Sequence, residues 1–325
     1  MPLSGPSSYV PTVEGFLAHW ALVDADLGAG NEMTLIIGPP DAPETIALAD
    51  LTALRADLDN AQNLVQSALN GVELASGTVK MGKGELLPLA QAYGRKVKGL
   101  FPPGNPFLGM TPEMPKEGSG QETFLRPMRD VRDAWVKVEA AGTVFTLPPD
   151  GIGLNDFNDL VDNLSTDWQT LNSREVDYGH ELDKRNALQV RADEILGRYR
   201  PTVESLYAPE NPLVASIPRL YPLPGHTPDA VELTAAWDAV ESKARLAWPA
   251  SADADLASYQ VRMSPSETYD PAAESILATI PGGGATEYLT DAGLPAPGAT
   301  ASYKVYVILT TDNERGSNAV AVTRP

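Results

Sequence analysis

The sequence predicts a multidomain protein with an N-terminal α-helical domain built from a tandem duplication and a C-terminal all-β sandwich. Three observations predict this fold class. Short motifs of the first two thirds recur in the same order about 106 residues later, and apolar residues in that region follow helical steps of three and four. From about Asp229 the apolar period changes to two, which is typical of β-strands.

The duplication rests on three pairs of matching segments with nearly the same separation. Residues 14–17 return as 122–125, residues 48–54 as 154–160, and residues 100–106 as 206–212. We therefore expect two copies of one helical unit, residues 1–115 and 116–222, which together form one domain about a pseudo-two-fold axis.

In the first copy the sequence predicts a short helix, one short strand and two longer helices. Thr12 is the expected cap of the short helix, and residues 33–37 form the strand, which a Gly-Pro-Pro sequence ends. Apolar positions at helical spacing place one long helix at 48–72. The next helix covers 85–100, where Pro88 in the first turn costs little.

The second copy is expected to repeat this order. Apolar residues between 124 and 138 mark the short helix, and residues 144–147 form its strand. The long helix spans 154–171 and the last helix 182–199, with Pro201 ending or kinking it. Spacing alone leaves open whether the two strands pair with each other.

A proline-rich linker, residues 223–228, separates the helical domain from the rest of the chain. Beyond it, short runs of alternating apolar residues are separated by turn residues. About seven such strands in roughly 100 residues indicate an antiparallel sandwich over residues 229–325.

Three of these strand-like segments, each with a large aromatic residue, match strand positions of a known family of sandwiches. Residues 244–248 fall in the second-strand position, 255–261 in the third and 303–307 in the sixth, and residues 313–318 fit a last hairpin. With this pattern, the stretch from residue 228 to 325 resembles the fibronectin type III family. The resemblance implies a seven-stranded sandwich.

The same resemblance assigns roles to individual residues of the sandwich. Trp248, Tyr259 and Tyr303 would be core residues, and Asp255 would be a loop residue typical of the family. A family that mostly serves adhesion and spacing implies a binding or structural role rather than catalysis. We find no resemblance to a known family in residues 1–222.

Composition and charge exclude several classes of function. The 325 residues include 24 Lys and Arg against 43 Asp and Glu, a formal net charge of −19, and no cysteine. Nucleic acid is excluded as a partner because the chain lacks the positive footprint that phosphate backbones require. Without cysteine there are no disulfides, thiolate nucleophiles or zinc–cysteine sites.

Neither a membrane span nor a secretory signal is visible in the sequence. No stretch approaches the roughly 18 apolar residues of a spanning helix. The first residues lack the basic and apolar segments of a signal peptide. We therefore expect no membrane insertion and, by default, a cytoplasmic or assembly-associated protein.

We predict no catalytic, cofactor-binding or metal-binding residues, and no cofactor. Asp177 and His180 lie one helical turn apart, but carboxylate-bridged metal bundles need a second such pair, so a solvated helix face is expected. Asp253 and Asp255 fall short of the six to eight oxygens that calcium takes. The glycine-rich residues 81–84 lack phosphate-loop spacing and are interpreted as a turn.

The large aromatic residues of the helical region fall on apolar stripes. We expect them to be core residues, and any that stay exposed would instead mark a subunit contact. They are Trp20, Phe124, Trp135, Phe157 and Trp168.

These observations favour a non-enzymatic structural or protein-interaction protein. The helical duplication would mediate assembly or docking, to a protein partner or to itself as a homo-oligomer, and the sandwich would be a spacer or recognition module. One alternative is an accessory carbohydrate- or surface-binding protein, which would need exposed aromatics on one sandwich face; Trp237, Tyr269 and Tyr288 are the candidates. A second alternative is an enzyme with a site between the helical copies.

Overall fold

The computed structural model describes residues 2–149 and 151–325. Its N-terminal region is helical and its C-terminal region is an antiparallel β structure, and this division into two regions is the one that the sequence predicts. The helices are α1 (Tyr9–Leu27), α2 (Leu48–Leu100), α3 (Gln121–Ala140), α4 (Leu154–Leu206) and α5 (Pro212–Ala215), with short 3₁₀ turns at Pro6–Ser8, Pro106–Met110 and Pro271–Ala273. No helix among the described residues is both long and apolar enough to span a membrane.

The prediction of two separate helices in each copy is wrong. α2 and α4 are each continuous over 53 residues. The expected turn at 81–84 lies inside α2, where Gly82 lets Leu164 pack close to the backbone, with 3.1 Å between its Cδ1 and the position a Cβ would take. Buried neighbours such as Val79 and Leu86 hold the helix together, and they outweigh the cost of about 1 kcal/mol that each helical glycine carries.

The two helical prolines also fail to end their helices. Pro88 lies within α2 and not in a first turn, and α4 continues past Pro201 for five more residues to Leu206. A proline removes one backbone hydrogen bond, and in both helices the buried residues on either side maintain the helical path.

The expectation of one short strand per copy is also wrong. The first copy has two strands, β1 (Leu35–Ile37) and β2 (Glu44–Ile46), which pair with each other as an antiparallel hairpin. In the second copy, a single bridge joins Leu147 and Ile152 among the described residues. Two prolines follow Leu147 directly, and prolines cannot donate to a longer ladder.

The chain forms two compact units. One contains the residues up to Asn70 together with residues 178–325, and the other contains residues 71–177. The first unit holds the α1 core, formed by α1, the start of α2 and the end of α4. The second holds the α3 core, formed by α3, the end of α2 and the start of α4. Each core therefore draws on segments of both predicted copies.

Local hydrogen bonds recur at the spacing of the sequence repeat. Asp50 and Asp156 each accept a hydrogen bond from the backbone N–H three residues earlier, at 2.8 and 2.9 Å. Asn105 and Asn211 each accept one from the N–H two residues later, at 3.0 and 2.8 Å. These four side chains cap helix starts.

The C-terminal strands form two antiparallel sheets. One sheet has the order β3-β4-β7, and the other has the order β10-β8-β5-β6, with β9 also paired to β8. The strands are β3 (Thr234–Asp238), β4 (Lys243–Ala247), β5 (Leu256–Ser264), β6 (Ser275–Pro281), β7 (Glu287–Thr290), β8 (Thr300–Leu309), β9 (Glu314–Gly316) and β10 (Val320–Thr323).

The core positions expected in the C-terminal region are confirmed. Trp248, Tyr259 and Tyr303 are all buried in one apolar cluster. The Trp248 and Tyr259 rings meet edge to face with centroids 5.8 Å apart. Alternation along β5 and β8 turns Tyr259 and Tyr303 inward, because successive strand residues face opposite sides of a sheet, and Trp248 follows β4 directly.

Candidate functional site

An exposed apolar stripe runs along the part of α2 that belongs to the unit of residues 71–177. Leu74 is 76% exposed and Met81 is 65% exposed. The two side chains lie seven residues apart and therefore on one face of the helix. Gly77, which lies between them, is exposed as well. We call this surface the α2 stripe.

The large aromatic residues that the sequence predicts for the helical cores lie in those cores. The five residues are buried, so none of them marks a subunit contact: Trp20, Phe124, Trp135, Phe157 and Trp168.

A second feature is the loop between β5 and β6, residues 265–274, which we call the docking loop. It packs on the helices of its own compact unit. Arg185 of α4 is 3% exposed and donates to the carbonyl of Ala272, and the Tyr178 hydroxyl donates to Asp270. Burial is the main cause that raises the pKa of Tyr178, so this hydroxyl stays a donor.

Further contacts fix Glu274, the last residue of the docking loop. Gln62 of α2 donates to the carbonyl of Glu274 at 3.0 Å, and the Ser7 hydroxyl donates to its carboxylate at 2.7 Å. A small apolar cluster fills the remaining space: Val65, Leu69, Tyr178, Leu182 and Ala273. The sandwich is therefore held against the helices and is not free on a linker.

The docking loop is also tied into the sheet of the sandwich by a buried cation. The guanidinium of Arg262 contacts Glu274 at 3.0 Å and Glu314 at 2.5 Å. It lies 3.8 Å from the centre of the Tyr306 ring. Tyr269 donates to the second carboxylate oxygen of Glu274 at 2.7 Å. Glu274 thus connects the sheet, the loop and the N-terminal segment.

The contact between the docking loop and α4 was not predicted from the sequence, although one residue of α4 indicates it. Arg185 falls on the apolar stripe of α4, between Leu182 and Leu188. A charged residue at such a position is rarely buried without a partner. Besides its neighbour Asn186, its partner is the carbonyl of Ala272, almost 90 positions later, which spacing cannot reveal.

A cavity of about 500 Å³ lies within the unit of residues 71–177. Its lining includes Lys80, Lys83 and Trp168. Lys83 donates to the carbonyls of Glu117 and Ser119, at 2.9 and 2.7 Å, and its ammonium lies 5.0 Å from the centre of the Trp168 ring. Burial lowers the pKa of Lys83. These contacts give Lys83 a structural role in fixing the loop before α3.

The three histidines have different surroundings. His19 is buried in the α1 core, where it contacts the Tyr199 hydroxyl at 2.7 Å and the Leu213 carbonyl at 2.8 Å. His180 is exposed on α4, and Asp177 pairs with Arg174 at 3.7 Å.

The third histidine lies beside two carboxylates of the sandwich. His226 Nε2 is 3.4 Å from Asp253 Oδ1 and 3.6 Å from Asp255 Oδ1. In the sequence only the two aspartates lie together, because His226 precedes Asp253 by 27 residues and spacing does not reveal their contact.

The aromatics considered for a ligand-binding face of the sandwich are all partly buried. Trp237 and Tyr288 pack against the sandwich core. Tyr269 lies in the docking loop and is bonded to Glu274.

Comparison with known proteins gives only partial structural likenesses. No protein-family model matches the chain, and no curated protein matches it in sequence. A fibronectin-type (Fn3-like) protein from Clostridium thermocellum is similar at 22% identity over 31% of this chain and 96% of its own length, with a TM-score of 0.25.

Two larger enzymes each contain a portion whose structure is similar to part of this chain. Pectate lyase PelI from Erwinia chrysanthemi, solved with tetragalacturonic acid, is 17% identical over 29% of this chain, with a TM-score of 0.25. The spore cortex lytic enzyme SleM from Clostridium perfringens is 19% identical over 30% of this chain, with a TM-score of 0.24. In each case this chain spans 28% of the enzyme's length.

Proposed function

We propose that this chain is a non-enzymatic structural or protein-interaction protein that assembles with copies of itself. In this proposal the helical region is a tandem duplication that mediates assembly. The sandwich is a fibronectin type III-like recognition module that the docking loop holds in a fixed orientation.

The duplication is supported by the matching helices. α2 and α4 have the same length, and both their first and their last residues are 106 positions apart. The aspartate caps at their starts and the asparagine caps beyond their ends recur at the same separation. Independent segments would have no reason to share all of these positions.

The fibronectin-like assignment is supported by strand order and by one hydrogen bond. Three strands form one sheet and the remaining strands form the other, as in sandwiches of this type. The Tyr303 hydroxyl, near the start of β8, donates to the carbonyl of Ala292 upstream at 2.7 Å. That contact resembles the tyrosine corner of such sandwiches.

The observation that carries the functional proposal is the α2 stripe. Exposed leucine and methionine side chains at a seven-residue spacing match the arrangement by which two helices pack side by side. A second copy of this chain offers the same stripe, so an isologous dimer would cover both. The net charge of −19 opposes this association at low salt.

Sedimentation velocity on the full chain tests the proposal. Between 0.01 and 0.15 M salt the Debye length falls from about 30 Å to about 8 Å, so we expect self-association to rise across that range. Leu74→Glu with Met81→Glu should leave a monomer under all of these conditions, because four buried carboxylates would face each other in the dimer.

The matched control is Val240→Glu, which adds a charge at a 91% exposed apolar residue of the sandwich. This variant should associate like the wild type. A wild-type chain that stays monomeric at tens of micromolar throughout would contradict self-assembly. Association that survives the double α2 change would show that another surface is responsible.

The carbohydrate-binding alternative would use aromatic side chains of the sandwich. Trp237, Tyr269 and Tyr288 are each partly buried and already packed or bonded, so the self-assembly proposal has the stronger support. An enzyme with a site between the copies is a further alternative, and a conspicuous acidic site there would be needed to favour it.

A further inference from the structure

The cluster of His226, Asp253 and Asp255 has the geometry of a metal site. The ligand atoms of these three residues all lie within 4.8 Å of one another. The two histidine–aspartate distances, 3.4 and 3.6 Å, are longer than the usual range of an N–H···O hydrogen bond, about 2.7–3.2 Å. His226 thus makes at most one long hydrogen bond, to Asp253 at 3.4 Å, and its contact with Asp255 is longer still.

Tetrahedral coordination fits the two histidine–aspartate distances. Zinc binds histidine nitrogen and carboxylate oxygen at about 2.0–2.2 Å, so two ligands of a tetrahedron lie about 3.3–3.6 Å apart. Both distances from His226 Nε2 match that separation. An imidazole with two carboxylates suits zinc and other divalent transition metals, whereas calcium and magnesium prefer oxygen ligands alone.

The surrounding contacts hold the Asp253 carboxylate and the Asp255 backbone in place before any ion binds. The second oxygen of Asp253 accepts from the Ser251 hydroxyl at 2.9 Å and from the Asp229 amide at 3.3 Å, which leaves Oδ1 to face the histidine. The Asp255 carbonyl accepts from the Thr310 amide at 2.8 Å. Such outer contacts orient metal ligands and are part of a working site.

The histidine is also held, although it lies in the predicted linker. Leu223 donates its amide to the Thr311 carbonyl at 2.9 Å, and its own carbonyl accepts from Asn313 at 2.9 Å. On the other side, the Asp229 amide bonds to Asp253. The segment that carries His226 is therefore fastened to the sandwich on both sides of the histidine.

We propose that His226, Asp253 and Asp255 bind one zinc-like divalent transition-metal ion, with water completing the coordination. The ion would join the proline-rich segment to the loop before β5. The His226 side chain is 59% exposed, which leaves the outer coordination positions open to solvent. This site was not predicted from the sequence, because spacing does not reveal the approach of His226 to the two aspartates.

Isothermal titration of the chelator-treated full chain with zinc chloride tests the proposal. The wild type should bind one equivalent in a saturable step. His226→Ala and Asp255→Asn should each weaken that step by at least about tenfold, since even the loss of an outer contact costs 10- to 100-fold in metal affinity. Asp253 is left unchanged because it also holds the loop together.

His180→Ala is the matched control, because His180 is an exposed histidine on α4 away from this cluster. It should bind zinc like the wild type. Thermal melting of each variant without metal checks that the fold is intact. Absence of a stoichiometric step in the wild type would overturn the proposal. So would equal losses in the His180 and His226 variants, which would indicate adventitious binding to the acidic surface.

Discussion

The α1 core and the α3 core contain tyrosines that lie 106 residues apart in sequence, Tyr199 and Tyr93, but in different environments. The Tyr199 hydroxyl contacts His19 Nδ1 at 2.7 Å. The Tyr93 hydroxyl is buried and has no hydrogen-bond partner within residues 2–149 and 151–325. Pro127 occupies the position that matches His19 at the offset of the first repeat motif, about 108 residues.

The aromatic rings of the two cores also pack differently. In the α1 core, Tyr199 meets Phe16 edge to face, with ring centroids 5.2 Å apart. In the α3 core, Tyr93 lies 5.4 Å from Trp135, which itself stacks on Phe145. Around Tyr199 the α1 core thus contains a buried polar contact, whereas Tyr93 in the α3 core is surrounded by aromatic packing. The comparison teaches that matching helices can enclose cores of different chemistry.

The largest effects should come from the central tryptophans, and they should be similar in the two cores. Trp20 and Trp135 are both fully buried. Trp20→Ala and Trp135→Ala should each lower the free energy of unfolding by about 3–5 kcal/mol, because both leave a large cavity. Urea unfolding followed by circular dichroism measures this loss. A loss below about 1 kcal/mol in either variant would mean that its core is assigned wrongly.

The next effect should distinguish the cores. Tyr199→Phe should lower the free energy of unfolding by about 1–3 kcal/mol, because His19 Nδ1 would then be buried without its donor. The same urea titration gives the value. His19→Phe in the Tyr199→Phe background is the control, since it removes the unpaired nitrogen and should recover part of the loss.

The α1 core should also carry a pH dependence. Burial is the main cause that lowers the pKa of His19, and nearby Arg200 adds to it. Nε2 faces the Leu213 carbonyl and the Ser216 hydroxyl, so the neutral ring donates there and accepts from Tyr199 at Nδ1. The folded chain therefore keeps His19 neutral at a pH where the unfolded chain binds a proton.

Stability from His19 is thus present above the ordinary histidine pKa of about 6.5 and is lost as the pH falls below it. Between pH 7.5 and 5.5 the free energy of unfolding should drop by at most about 1.4 kcal/mol on this account. His19→Gln should show a smaller drop, measured by urea unfolding at both pH values. Equal drops in the two proteins would assign the pH dependence to other groups.

The smallest effect is expected for Tyr93→Phe. Removing a buried hydroxyl that has no partner breaks no hydrogen bond, so the free energy of unfolding should change by less than about 0.5 kcal/mol or rise slightly. A loss as large as that of Tyr199→Phe would show that the Tyr93 hydroxyl is bonded after all, for example to a buried water.

The sequence predicted features that depend on local pattern. Period-two alternation together with the resemblance to the fibronectin type III family placed Trp248 and Tyr259 in the sandwich core, and helical stripes placed Trp20 and Trp135 in the helical cores. Glycine and proline residues predicted a turn at residues 81–84 and a helix end or kink at Pro201, but buried packing contacts keep the helix continuous at both positions. The docking of Arg185 and the approach of His226 to Asp253 depend on contacts between distant segments, which a single sequence does not record.

Crosslinking between copies tests the central claim, self-assembly through the α2 stripe, most directly. The chain has no cysteine, so Leu74→Cys with Met81→Cys introduces the only thiols. Seven helical residues span about 10 Å, too far for a disulfide within one chain.

Mild oxidation at 0.15 M salt should convert most of this variant to a covalent dimer on a non-reducing gel. Val240→Cys, which places a thiol on the sandwich, should stay largely monomeric. Comparable dimer yields from the two variants, or no dimer from the α2 pair, would contradict the account.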